Sequence, residues 1–185
     1  MTTERVAVPM IGFLTMERTI NDDGYITAIM ITDNRGYPLE FKATSPVRPS
    51  LVQKTLYGNR LEHYIGVELC GKQLIQQSQR KPKLILIPNK SLLDVAEKVD
   101  VDVLAIWRAG EKIKLDEESD VLHKGTLKST SFQSLIYEGH FKDETAHKEG
   151  VTFLQGMANQ FDLLEAFERM RAALQLLAKE DSKYA

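Results

Sequence analysis

A mixed α/β sheet, opened by a three-stranded antiparallel meander and followed by an αβαβ core and a long C-terminal helix, is the fold predicted by this sequence. Three observations carry the prediction. Two turn-forming clusters, Asn21-Asp22-Asp23-Gly24 and Asp33-Asn34-Arg35-Gly36, divide the first 47 residues into three strand-like runs. Two short apolar runs, at 83–87 and 101–107, flank a brief helical segment, which is the pattern of a parallel βαβ crossover. Residues 155–180 contain no proline and carry apolar side chains at alternating four- and three-residue spacing.

The elements follow in order. The first strand is expected over 6–16, with Pro9 and Gly12 marking an edge, a bulge or a close backbone approach. The second, 25–32, is rich in β-branched residues and apolar on both faces, as a strand covered on both sides should be. In the third, 37–43, Leu39, Phe41 and Ala43 alternate with Glu40 and Lys42. Ser45-Pro46-Val47-Arg48-Pro49-Ser50 then breaks the chain, and Ser50 is placed to cap a helix over 51–79 that Gly58-Asn59 interrupts. Pro88-Asn89 ends the fourth strand, and Ser91 is read as the cap of a helix over 92–98. Residues 108–150 read as irregular, with a strand over 132–141 and a polar loop at 142–150. The whole, 1–185, is expected to be one domain: meander 6–47, αβαβ core 50–107, irregular segment 108–150 and amphipathic helix 155–180.

Composition narrows the function classes. A net charge of −2 gives no global field toward phosphate backbones, so nucleic-acid binding would need a local patch. The single cysteine, Cys70, excludes an internal disulfide and a thiolate metal centre and fits a reducing compartment. Met1-Thr2-Thr3-Glu4-Arg5 lacks the layout of a signal peptide, and no apolar run approaches the roughly 20 residues of a membrane span, so a cytoplasmic protein is expected. No Gly-rich phosphate loop and no Gly-x-Ser-x-Gly elbow occurs, and no cofactor is implied.

The order of elements across residues 6–107, with the Pro-rich connection Ser45-Pro46-Val47-Arg48-Pro49 leading from the third strand into a helix, resembles ribonuclease-H-like folds and their endonuclease V branch. The resemblance implies a metal-dependent nuclease, whose chemistry needs several carboxylates on strand ends and a helix to hold divalent ions. The first strand offers only Glu17, and the fourth ends in Pro88-Asn89 where a carboxylate would be expected. Under this reading Asp33, Glu40, Glu68 and Asp94 are the acids to try.

Three further groups are candidates. His140, Asp143, Glu144 and His147 have the residue types of a zinc or manganese site, at spacings that share a helix face. Arg48, between two prolines, could present one guanidinium to a carboxylate or phosphate. Leu163, Phe167, Met170, Leu174 and Leu177 form an apolar seam matching a coiled-coil repeat. With no catalytic constellation in view, that seam points to a non-catalytic accessory subunit binding itself or another protein through its last helix. The alternative is a metal-dependent nuclease or nucleic-acid-binding protein with a ribonuclease-H-like fold.

Overall fold

The computed structural model describes residues 8–111 and 123–181. Seven strands form one sheet in the order β3-β2-β1-β4-β5-β7-β6. The meander is as expected: β1 (Ile11–Arg18), β2 (Tyr25–Thr32) and β3 (Pro38–Ala43) pair antiparallel. Its second turn is built as the sequence indicates. Asp33 Oδ1 accepts from the N–H groups of Arg35 and Tyr37, at 2.9 and 3.0 Å, and Gly36 takes φ 84°. β4 (Leu84–Ile87) lies parallel to β1, and β5 (Asp102–Arg108) parallel to β4. β7 (Leu135–His140) then runs antiparallel to β5, and β6 (His123–Leu127) antiparallel to β7.

Alternation along these strands makes two cores. Ile11, Phe13, Leu84, Leu86, Leu104 and Ile106 face one side, and Leu14, Ile85, Ile87, Val103, Ala105 and Trp107 face the other. All four residues of β4 are buried, as a central strand covered on both faces requires. The first face is covered by α4 (Glu144–Ala158) and α5 (Glu165–Asp181). The second is covered by a continuous run of helix: α2 (Leu61–His63), a π-helical stretch (Tyr64–Gly71) and α3 (Lys72–Gln77). In the π-helical stretch a Cβ on Gly71 would stand 2.3 Å from the carbonyl oxygen of Gly66, so glycine is required there. Cys70 is buried on this run, and burial pushes its thiol up.

Several expectations are corrected. Asn89, not Ser91, caps the segment after β4: its side chain accepts from the Ser91 N–H at 3.0 Å, and the segment is a 3₁₀ helix (Lys90–Lys98). Residues 108–150 are not irregular where described, because β6, β7 and the first half of α4 lie there. The polar stretch expected as a loop starts α4, with Asp143 accepting from the Ala146 N–H at 2.8 Å; its exposed first turn gave no apolar period to read. The single C-terminal helix is two, separated at 159–164. Among the described residues no helix is long and apolar enough to cross a membrane.

The edge strand is pinned to the end of α3 by Glu40. Its carboxylate accepts from the backbone N–H groups of Gln79 (3.0 Å) and Arg80 (2.8 Å), with Lys42 3.3 Å away. Desolvation pushes this carboxyl up, but the two N–H donors and Lys42 outweigh it and hold it below its usual range. A depressed folded-state value stabilises the fold above the unfolded-state pKa, and that contribution is lost as pH falls through the folded-state value. Glu40→Gln should therefore lower the urea midpoint at pH 7. The gap to wild type should close as pH falls below the ordinary glutamate value of about 4.3. A gap that persists unchanged at pH 3 would refute this role.

Candidate functional site

Because β1, β4 and β5 are parallel, their carboxyl ends open on one end of the sheet, where α/β folds form their crevices. The register sets Phe13 opposite Leu86 and Leu86 opposite Leu104. Carried to the strand ends, it brings Glu17, Asn89 and Arg108 to that end. Each polar group there has a partner. Glu17 accepts from Thr15 Oγ1 at 3.0 Å and from Arg171 of α5 at 3.3 Å. Arg108 donates to Asp162 at 2.8 Å, and Asn89 is spent as a helix cap. Lys90, the next residue, pairs with the buried Glu138 of β7 at 2.8 Å.

Beside the end of β1 lies a cleft of about 570 Å³, lined by Arg18, Asp22, Asp23, Gly24, Tyr25, Lys54, Gly58, Asn59, Leu61 and Glu62. Arg18 is one of its lining cations. It donates to Asp22 at 2.9 Å and to Glu62, and its guanidinium lies 5.5 Å from the Tyr25 ring centre. These partners push its pKa further up, first through the hydrogen bond to Asp22 and then that to Glu62. Asp23 takes a hydrogen bond from Thr19 and another from Arg48 Nε at 2.9 Å; both, the Thr19 bond foremost, hold its carboxyl low. So the carboxylates around this end (Glu17, Asp22, Asp23 and Glu62) are each held by an arginine. Among the described residues they form no group of three close enough to share an ion.

Lys54 brings α1 (Leu51–Tyr57) to the rim of the cleft, and no residue of this helix is buried. The sequence forms it through a capping box: Gln53 N–H donates to Ser50 Oγ at 3.2 Å, and Ser50 N–H donates to the Gln53 side chain at 2.8 Å. Gly58, at φ 50°, ends it, at the interruption the sequence predicts. Yet Leu51, Val52 and Leu56 are 79%, 66% and 78% exposed. The rings of Tyr57 and Tyr64, both partly exposed, lie 4.8 Å apart beside them. An apolar and aromatic group this exposed is the mark of a binding surface. Sequence reasoning missed it, because its apolar spacing reads like that of a core helix.

The other predicted residues are placed as follows. Arg48 lies next to the cleft, with its guanidinium on Asp23. Asp33 builds the hairpin turn, Glu40 pins the edge strand, Glu68 pairs with Lys98 at 3.1 Å and Asp94 with His63 at 2.7 Å, so these four acids do not come together. Glu144 and His147 do meet, but with His123 of β6 rather than with His140 or Asp143. Asp143 is used as the α4 cap. His140 pairs with Val103 of the other core, so strand alternation turns it to the sheet face away from α4. Of the apolar seam, Leu163, Phe167, Met170 and Leu174 are buried against the sheet, and only Leu177 is exposed.

No protein-family model matches the chain, and no curated protein matches it in sequence. Solved structures do. The Bacillus subtilis endonuclease V superposes with a TM-score of 0.62 over 94% of this chain and 84% of that one, at 12% identity. The fold is ribonuclease-H-like. Ciona intestinalis endonuclease V, solved with a 24mer DNA containing an inosine followed by a ribo-adenosine, gives 0.57 over 92% and 88%, at 11% identity. The expectation of an accessory subunit that binds itself or a protein partner is thereby corrected. Two solved structures that share this fold are endonucleases V, and the seam that suggested a partner is the cover of the sheet itself.

Proposed function

We propose that the chain binds nucleic acid at the end of the ribonuclease-H-like sheet where β1 finishes and α1 stands out. The observation that carries this is the cleft at a strand end, lined by Arg18 and Lys54, with the partly exposed rings of Tyr57 and Tyr64 on the segments that flank its lining residues 58–62, in a fold shared with endonucleases. Lys54, together with the N–H groups of Arg18 and Arg48 not engaged by Asp22, Glu62 and Asp23, supplies donors for phosphate oxygens, and Tyr57 and Tyr64 supply faces on which bases stack. Leu51, Val52 and Leu56 add an apolar edge able to press against an unstacked base. The overall charge of −2 leaves all attraction to these local cations. Single strands, whose bases are free to stack, are the form this surface fits best.

The carboxylates nearby are committed to arginines, whereas the two-metal route to hydrolysis needs carboxylates clustered around ions. Binding without cleavage is the expected outcome with Mg²⁺ or Mn²⁺ present. Fluorescence anisotropy with labelled single-stranded and duplex oligonucleotides tests the proposal. Tyr64→Ala should weaken single-strand binding by about 1–3 kcal/mol, roughly 5- to 150-fold, through one lost stack. Lys54→Ala should weaken all sequences alike and reduce the salt slope by about 1. Binding that is absent, or that ignores both substitutions, would remove the proposal.

A further inference from the structure

A second cluster of chemistry-bearing side chains lies at the opposite end of the sheet. The last residue of β7, His140, pairs with Val103 near the start of β5, so the end of β7 and the beginning of β6 stand away from the carboxyl ends of β1, β4 and β5. There His123 opens β6 opposite Gly139, and α4 begins just after β7, with Glu144 and His147 three residues apart on one helix face. His123 Nε2 is 3.7 Å from Glu144 Oε2, and His147 Nδ1 is 3.6 Å from Glu144 Oε1. One ligand atom from each residue falls within 4.8 Å of the others.

These separations are too long for hydrogen bonds and suited to a shared ion. Ligands about 2.0–2.2 Å from a tetrahedral zinc ion stand roughly 3.4 Å apart, close to both carboxylate–imidazole separations. The nitrogens support this. His147 Nδ1, the atom that faces Glu144, is shut from solvent without a hydrogen-bond partner, a state that buried polar atoms rarely keep. His147 Nε2 lies 3.2 Å from the hydroxyl of Tyr137, which is buried. That contact fixes the ring and leaves Nδ1 aimed at Glu144, as outer-shell partners of metal-bound histidines do. Phe141 packs on both imidazoles, with ring centres 5.5 and 4.8 Å away, and makes one apolar wall.

We infer that His123, Glu144 and His147 form a site for a divalent zinc-class ion. Two imidazoles and one carboxylate suit zinc, and three protein ligands leave a fourth tetrahedral position open. The site is independent of the nucleic-acid proposal, since it shares no residue with the cleft and lies at the other end of the sheet.

The test uses the full chain, stripped with a chelator and titrated with Co²⁺ and then Zn²⁺. The structure predicts one ion per chain, with the visible absorption of tetrahedral Co²⁺, displaced by Zn²⁺. Glu144→Gln changes an exposed side chain and should leave the circular dichroism spectrum intact while weakening Zn²⁺ about tenfold or more. His123→Gln and His147→Gln should abolish the tetrahedral spectrum. His140→Ala and Asp143→Asn should leave both spectrum and affinity unchanged. No stoichiometric binding, or a Co²⁺ spectrum unaltered by Glu144→Gln and His147→Gln, would overturn the assignment.

Discussion

Phe167→Ala should destabilise the chain by about 3–5 kcal/mol, read as a lowered urea midpoint with little change in slope. Phe167 is 2% exposed, and its ring meets Phe13 of β1 edge-on, with centres 5.5 Å apart and planes at 82°. Removing it leaves a cavity between α5 and the middle of the sheet, lined by strands that cannot collapse into it. Leu177→Ala is the control on the same helix. Its side chain is 39% exposed, so the loss should stay below about 1 kcal/mol. Equal small losses at both positions would mean that α5 is not a structural cover of the sheet.

Lys90→Met should cost a similar amount, about 3–5 kcal/mol, for a different reason. The Lys90 and Glu138 side chains retain only 18% and 9% of their accessibility, and their charged atoms are 2.8 Å apart. Lys90 also lies 5.8 Å from the Trp107 ring centre. Without Lys90 the buried Glu138 carboxylate loses its 2.8 Å ion-pair partner, and its desolvation is what the substitution exposes. The double variant Lys90→Met/Glu138→Met removes both charges and should recover most of the loss, since a buried ion pair is often no better than an apolar pair. A single variant as stable as wild type in thermal unfolding would contradict this account.

The sequence announces what local chemistry determines. The Asp33–Gly36 turn, the Ser50 cap, the break at Gly58 and the parallel pair β4 and β5 are legible because each depends on neighbours within a few residues. What was not legible depends on distant partners. The His123 ligand is found only through the β6–β7 register, and the apolar seam of α5 cannot tell a sheet face from a partner. The α1 surface misleads in the opposite sense: Leu51, Val52 and Leu56 have the spacing of a buried face but stay exposed among the described residues. At the strand ends, Glu17 and Asn89 signalled a missing acid cluster. The arginines that hold the carboxylates come from β1, the Pro-rich loop and α5, and no spacing rule joins them.

The most direct test of the central claim is hydrogen–deuterium exchange on the chain with and without a saturating single-stranded oligonucleotide. Nucleic acid bound in the cleft should slow exchange at residues 18–25 and 51–64, and leave 135–150, at the far end of the sheet, unchanged. Protection confined to the far end, or no protection anywhere at saturating oligonucleotide, would contradict it.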